Sequence, residues 1–547
     1  MSDSPPGCRR FLLAAVLLLS ATSAAAAIDP AAAGRRLYRD GLGRDGSPVT
    51  AIVQGDVSVT GITLACVSCH RRSGLGTSEG GRRMPAITGP ALFEPVAPNQ
   101  SGLRGARPVY TEEALVRAIT AGVAADGRSL SPLMPRYALD AEESRAIVAY
   151  LRTLGAEPAD GVTGTEIELA TIVAASAPAS QREAVTTVVR RFAEFINSGT
   201  RQEERRALAS RRHPYGERHA RTFRRWNVSV WTLEGPTTSW PAQLERLYRK
   251  RSPFAVISGA AGTGWPVVHR FCEQHELPCV LPVTPLPVEA GAAYYTIYFS
   301  AGVRLEARVT ARSIAAGTGN PERRILVLHI DDVLGRAALE AFTAALPESQ
   351  RARLRSLAIS PVMTPTTQDW LDHVDLGPAD VLVAWLAAPQ LEALAGIASR
   401  PAALPRHVYT ASTFTDWNIV RAPPLFEQRV RHVRPYRIDE NGRAVFPRED
   451  NWLRRRGLSA LERIPAAEAL FASHITGEAM FAMADNYSRD YFIETLEHML
   501  DGTDMTTVYP LTTLGTGQRF LAKGAYVLRL GSGITASRYI SSEWVHP

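Results

Sequence analysis

Apolar and polar residues alternate along this chain in two different rhythms. From residue 28 to about 156 the apolar positions recur at helical spacing. Leu115, Ala118, Ile119 and Gly122 form one stripe, and Ile147, Val148, Leu151 and Leu154 form another. Thr111 predicts an N-cap for a helix over 112–121, and Asp140 with Glu143 gives a D-x-x-E start to the last helix. An earlier helix is predicted from Ala31 to Tyr38, with Gly34 and Tyr38 on one face. Between Tyr38 and Cys66, the residues Ser58, Thr60 and Thr63 alternate with apolar neighbours, as in a small hairpin.

After Leu154 the rhythm changes. Residues 157–164 are rich in Gly, Pro and Asp and predict a linker. Beyond it, apolar runs of strand length at 167–175, 228–233, 254–258, 279–283, 294–299, 325–330, 357–359, 381–385 and 407–411 are mostly separated by amphipathic segments. Such runs are strands buried on both faces, so residues 165–547 predict a parallel α/β region repeated enough for two lobes. The expected fold class is multidomain, an all-α domain over 28–156 followed by a two-lobed α/β region.

Composition adds scale and compartment. A chain of 547 residues exceeds one hydrophobic core, so several domains are expected. The net charge of +7 is diluted over that length; it favours an acidic partner, and no nucleic-acid motif accompanies it. Arg9 and Arg10, the apolar run from Phe11 to Leu19 and the small residues ending at Ala25-Ala26-Ala27 read as a signal peptide over 1–27, with an uncleaved anchor as the alternative. No other stretch approaches about 18 consecutive apolar residues. The mature chain is therefore expected outside the cytoplasm, in a periplasm where the cell has one.

One motif carries chemistry. Cys66-Val67-Ser68-Cys69-His70 reads C-x-x-C-H, the covalent attachment signature of a c-type haem. Each thiol can form a thioether with a haem vinyl group, and the adjacent His can ligate the iron, a one-electron site. A zinc ribbon would need a second cysteine pair nearby, and a redox dithiol would sit between strand and helix, whereas Arg71-Arg72-Ser73-Gly74 follows here. Arg71, Arg72, Arg82, Arg83 and Arg136 are candidates to neutralise haem propionates or are simply solvated.

Cys272 and Cys279 are left over. In an oxidising compartment they are expected to form a disulfide. Free thiols, or a metal site from His269, Cys272, His275 and Cys279, are the alternatives, although on a helix His269 and His275 point 120° apart, by about 100° of turn per residue.

Gly34 and Tyr38, the C-x-x-C-H run, and Leu133-Met134-Pro135-Arg136-Tyr137 ahead of the last helix together resemble the class I cytochromes c. That resemblance implies that the first and last helices cross at a small residue. It also implies His70 and Met134 as the axial pair of a single haem c anchored by Cys66 and Cys69. Met84-Pro85 is the rival for the sixth position, and an open position is the third reading. The 27 residues between Tyr38 and Cys66 exceed the short connection of compact family members.

Residues 165–547 resemble the type 1 periplasmic binding proteins, the receptors of branched-chain amino-acid importers. The resemblance rests on pattern, and on the strand 325–330 followed by Asp331-Asp332-Val333-Leu334-Gly335. Leu334 stands where the family usually has Tyr. Ser258-Gly259-Ala260-Ala261-Gly262-Thr263-Gly264 follows a strand and opens a helix, so its amides could hold a carboxylate, as the corresponding family loop does. A ligand-free turn is the competing reading. Ser258, Thr263 and Asp331 are the candidate ligand residues, against the view that Asp331-Asp332 and Asp369/Asp372 are cap and surface residues.

No catalytic constellation emerges, so the chain is not expected to be an enzyme. The Arg-rich stretch 201–225 is a solvated helix or a docking site. The expected function is one-electron transfer to a redox partner such as a dehydrogenase or another cytochrome, with the α/β region docking that partner or sensing a ligand. The alternative is a receptor for a small amino-acid-like solute with an accessory haem.

Overall fold

The structure is a computed structural model that describes residues 29–95, 108–209, 224–289, 291, 293–317, 324–363, 366, 369, 380–395, 405–416, 429–436, 439, 444–501, 508–515, 517–530 and 539–547. The expected signal peptide lies outside them, as do Asp372 and residues 210–223 of the Arg-rich stretch. The chain folds as two compact units, Met1–Ala156 and Glu157–Pro547.

In the first unit the helices Pro30–Asp40, Val67–His70, Gly89–Phe93, Glu112–Thr120 and Ala141–Thr153 surround one core. Their starts are chemically specified. Thr111 Oγ1 accepts from the Ala114 amide at 3.2 Å, and Asp140 with Glu143 closes a reciprocal capping box. The first and last helices cross at Gly34, where an added Cβ would lie 2.0 Å from the Ala146 carbonyl oxygen and 2.8 Å from Tyr150 Cβ. One turn on, buried Tyr38 packs on Tyr150 with ring centroids 5.3 Å apart. Its hydroxyl donates to the Arg71 carbonyl at 2.7 Å, which ties this helix pair to the residue after His70.

This unit is not all-α. Thr50–Val53 pairs antiparallel with Val57–Thr60 on one side and Arg136–Tyr137 on the other, making a three-stranded sheet. Thr77–Glu79 and Arg82–Met84 form a separate hairpin. The long connection before Cys66 supplies the extended partners. Pro135 disfavours helix at Met134, and the following Arg136–Tyr137 is held extended by its pairing with Thr50–Val53.

The second unit has two lobes. In the first lobe the strands run Thr296–Ile297, Cys279–Val280, Ala255–Ile257, Glu166–Ala174 and Arg225–Leu233 in spatial order, all parallel. In the second lobe Leu354–Ile359, Ile325–Ile330, Val381–Trp385, His407–Ala411 and Val430–Arg434 are parallel. Ala525–Leu530 and Tyr539–Val545 extend this sheet antiparallel, which the expectation of a purely parallel fold did not include. Val430–Arg434 escapes a search for apolar runs because Arg431, His432 and Arg434 interrupt it.

Three crossings join the lobes. The chain enters the second lobe between Ile297 and Val303 and leaves it after Arg434. Helices Pro447–Arg455, Arg463–Ala482 and Arg489–Leu500 then pack in the first lobe's core, and Ala525–Leu530 returns to the second. Residues 157–164 are not a free linker. The Ala159 amide donates to Tyr487 O at 2.9 Å, and Gly161, at φ 83°, lies so close to Phe254 that a Cβ would meet its nitrogen at 2.4 Å.

A side chain at the helix crossing has nowhere to go. Gly34→Ala is expected to cost the first unit about 1–3 kcal/mol through overpacking against backbone, read as a lower unfolding midpoint in calorimetry. Gly164→Ala, with nothing within 4 Å of its Cβ, is expected to leave that midpoint unchanged.

Candidate functional site

Cys66 caps the short helix Val67–His70, which puts Cys66, Cys69 and His70 on one turn. His70 is buried, and its Nδ1 lies 3.0 Å from the Pro85 carbonyl oxygen. A carbonyl only accepts, so the ring donates from Nδ1 and its Nε2 keeps a lone pair. Burial lowers the pKa of His70 below the ordinary imidazole value and so favours the neutral, ligating form, while the Pro85 hydrogen bond opposes that shift. Cys66 is half-buried and Cys69 exposed. Burial pushes the Cys66 thiol up to about 11, so it does not resemble an activated redox thiolate.

Met134 is half-buried and packs against the same apolar cluster as Cys66 and Val67. Its segment is fastened at several points. The Arg136 guanidinium donates to the carbonyls of Met134 (2.6 Å), Leu130 (3.0 Å) and Ser131 (3.2 Å). Gly122 makes room for it, since a Cβ there would fall 1.8 Å from Arg136 Nε. Tyr137 Oη donates to the Leu64 carbonyl at 2.5 Å and lies 4.0 Å from Cys66 Sγ. The strand after Met134 is thereby joined to the segment that opens C-x-x-C-H. Met84 stands elsewhere, at the end of a hairpin strand next to Pro85, on the Nδ1 side of His70.

In the second unit, Cys272 and Cys279 are disulfide-bonded with Cα atoms 6.4 Å apart. The metal alternative fails, because His269 Nδ1 pairs with Tyr298 Oη at 2.9 Å and His275 Nε2 with Glu245 at 2.6 Å. Among the described residues no cluster of His, Cys, Asp or Glu could hold a metal ion.

The three candidate ligand residues are not alike. Ser258 follows the strand Ala255–Ile257 at φ 54°, fully buried, with no hydrogen-bond partner for its hydroxyl among the described residues. Thr263 is exposed in the turn Gly262–Gly264. Asp331 is an exposed residue ion-paired to Arg336 at 2.7 Å, and Asp332 caps the helix Val333–Ala345 through the Gly335 amide. The reading of this acidic pair as cap and surface describes its geometry.

The cytochrome c family matches residues 60–155. The chain carries a cytochrome c domain. That domain implies haem c, and the donor set fits it: two thiols one turn apart, a buried neutral imidazole with a free Nε2, and a thioether on a braced loop.

Beyond the cytochrome c domain, the likeness is to solved structures. A branched-chain amino-acid ABC transporter protein from Thermus thermophilus with bound valine has a TM-score of 0.51 at 10% identity, covering 70% of this chain and 97% of its own. A possible leucine/isoleucine/valine-binding protein from Rhodopirellula baltica gives 0.48 at 15% identity, covering 71% and 98%. A fatty acid ABC transporter substrate-binding protein from Thermomonospora curvata gives 0.48 at 12%, covering 72% and 95%. The region after the cytochrome c domain has the type 1 periplasmic-binding-protein fold. No curated protein matches the chain in sequence. Among the described residues no helix is long and apolar enough to cross a membrane.

Sequence reasoning missed Pro85 as the partner of His70, and it treated Arg136 only as a charge. It also missed polar groups buried where the lobes join. Glu306 accepts from Ser412 Oγ and from the Thr413 amide (3.0 Å). Glu468 accepts from Tyr509 Oη at 2.7 Å, and the Tyr509 ring packs on Tyr436 at 5.1 Å. Burial pushes Glu468 up to about 7.

The folded value of Glu468 lies above its unfolded value, so the fold holds that proton more tightly. The stability this carries is complete below about pH 4.5 and is lost as pH rises through about 7. In thermal scans Glu468→Gln, which cannot ionise, is expected to flatten this dependence and to unfold at higher temperature than wild type above pH 7.

Proposed function

We propose that this protein is an extracytoplasmic one-electron carrier with a single haem c, attached through Cys66 and Cys69 and ligated by His70 and Met134, and that it is not an enzyme. The observation that carries the reading is the C-x-x-C-H run within the matched region, with the His70 ring oriented by Pro85. When bound, the haem supplies an Fe(III)/Fe(II) couple.

The residues divide the remaining work. Pro85 holds the Nδ1 proton and so orients Nε2. Arg136 and Tyr137 fasten the loop that presents the Met134 sulfur. Ligation by both His70 and Met134 would leave no position for a substrate, which would favour electron transfer over peroxidase chemistry. Met84 is disfavoured because it neighbours the carbonyl that binds the opposite ring nitrogen.

The two-lobed region serves as a ligand sensor or a docking module for an electron donor such as a dehydrogenase or another cytochrome. A second reading, a receptor for a small amino-acid-like solute, is favoured by the buried hydroxyl of Ser258, which has no hydrogen-bond partner among the described residues.

Redox titration of the purified holoprotein tests the carrier reading. A single one-electron wave is expected, and its absence would sink the proposal. Met134→Ala is expected to abolish the thioether-to-iron absorption band and to lower the potential by roughly 0.1 V or more, a fraction of the ~0.8 V that axial ligands span. Met84→Ala is expected to change neither. Exchanging those two outcomes would make Met84 the ligand.

A further inference from the structure

Three parallel strands of the second lobe end side by side in polar groups. Val381–Trp385 ends in Trp385, whose indole N–H is buried with no acceptor among the described residues. His407–Ala411 runs on into Ser412 and Thr413, which hold the buried carboxyl of Glu306. Val430–Arg434 ends in Arg434, whose side chain is buried although the strand's end is where the chain turns back toward the first lobe.

Arg434 is 4% exposed, and its Nε–H meets no acceptor among the described residues. Its contact with the Tyr436 ring is long, at 5.6 Å to the centroid. Glu306 and Asp416 are close enough to act on its charge. A buried guanidinium whose Nε–H has no acceptor is costly, because desolvation is not fully repaid unless each donor is satisfied. Two of the three crossings leave their sheets from the carboxyl ends of parallel strands, at Ile297 and at Arg434. Those ends therefore border the junction of the lobes, and ligands of open α/β sheets bind outside the carboxyl ends of strands.

We propose that Arg434 is the recognition group of a binding site for a small carboxylate ligand at the carboxyl ends of the second lobe's parallel strands. The planar fork of a guanidinium matches a carboxylate with two parallel N–H···O bonds. The assignment rests on the reading that the two-lobed region binds a solute, and it adds a charged anchor on the lobe opposite Ser258.

The test is calorimetric titration of the full haem-loaded chain with succinate, benzoate and L-leucine, each beside its amide: succinamide, benzamide and L-leucinamide. At least one acid is expected to bind, and its amide to bind about tenfold or more weakly, because the amide lacks the charge that strengthens the bond. Arg434→Lys, which keeps the charge but loses the fork, and Arg434→Met are each expected to weaken the acid about tenfold or more. Circular dichroism and the thermal midpoint report whether each variant is folded. The acid–amide comparison uses wild type and stands whether or not they are. Equal binding of acid and amide, or a folded variant that binds the acid as wild type does, overturns the role of Arg434 while leaving solute binding intact. No binding of any of the six overturns both. The redox titration is unaffected by either result.

Discussion

The hydrogen bond between the His70 ring and the Pro85 carbonyl governs what the first unit can do. An imidazole has two nitrogens, and which one carries the proton decides which one can ligate. Burying His70 keeps the ring neutral, and giving Nδ1 a carbonyl partner commits Nε2 to the other side. The rest of the unit supports that choice. Gly34 lets the terminal helices approach until backbone meets side chain, and Tyr38 reaches from their crossing to the carbonyl after His70. The loop that carries Met134 is held by one guanidinium on which its carbonyls converge.

Much of this was legible in the residues. The caps at Thr111 and Asp140 and the C-x-x-C-H turn are local chemistry, and each appears in the structure where the spacing puts it, while the close approach at Gly34 followed from the family resemblance. The strand 325–330 was readable to the residue because it is apolar at every position but His329 and buried on both faces. What escaped depends on partners distant in sequence. Arg136–Tyr137 becomes a strand only because Thr50–Val53 lies beside it, and Val430–Arg434 is a strand in spite of three charged or titratable side chains. Residues 157–164 have a linker's composition but pack on Phe254 and Tyr487 through backbone, which composition does not report. Ser258 stood out by its loop, whereas nothing in the pattern around Arg434 marks it as buried.

The two-lobed unit shows how a fold can be shared while its site chemistry differs. The fold is that of the type 1 periplasmic binding proteins, but Asp331 spends its charge on Arg336 at the surface. Buried polarity gathers instead around Glu306, Arg434, Glu468 and Tyr509, from segments of both lobes and the crossings between them. Hydrogen-bonded groups at such a junction add directional constraints to the nonspecific pull of the hydrophobic cores on either side.

The four cysteines of the described chain face opposite demands. Thioether formation on haem needs Cys66 and Cys69 as reduced thiols, while Cys272 and Cys279 are joined to each other. Cys69 is open to solvent, and both sulfur-bearing residues of the bridge are fully buried. A reductant in solvent therefore meets Cys69 and not the bridge. Burial does the sorting that sequence spacing alone would leave to chance.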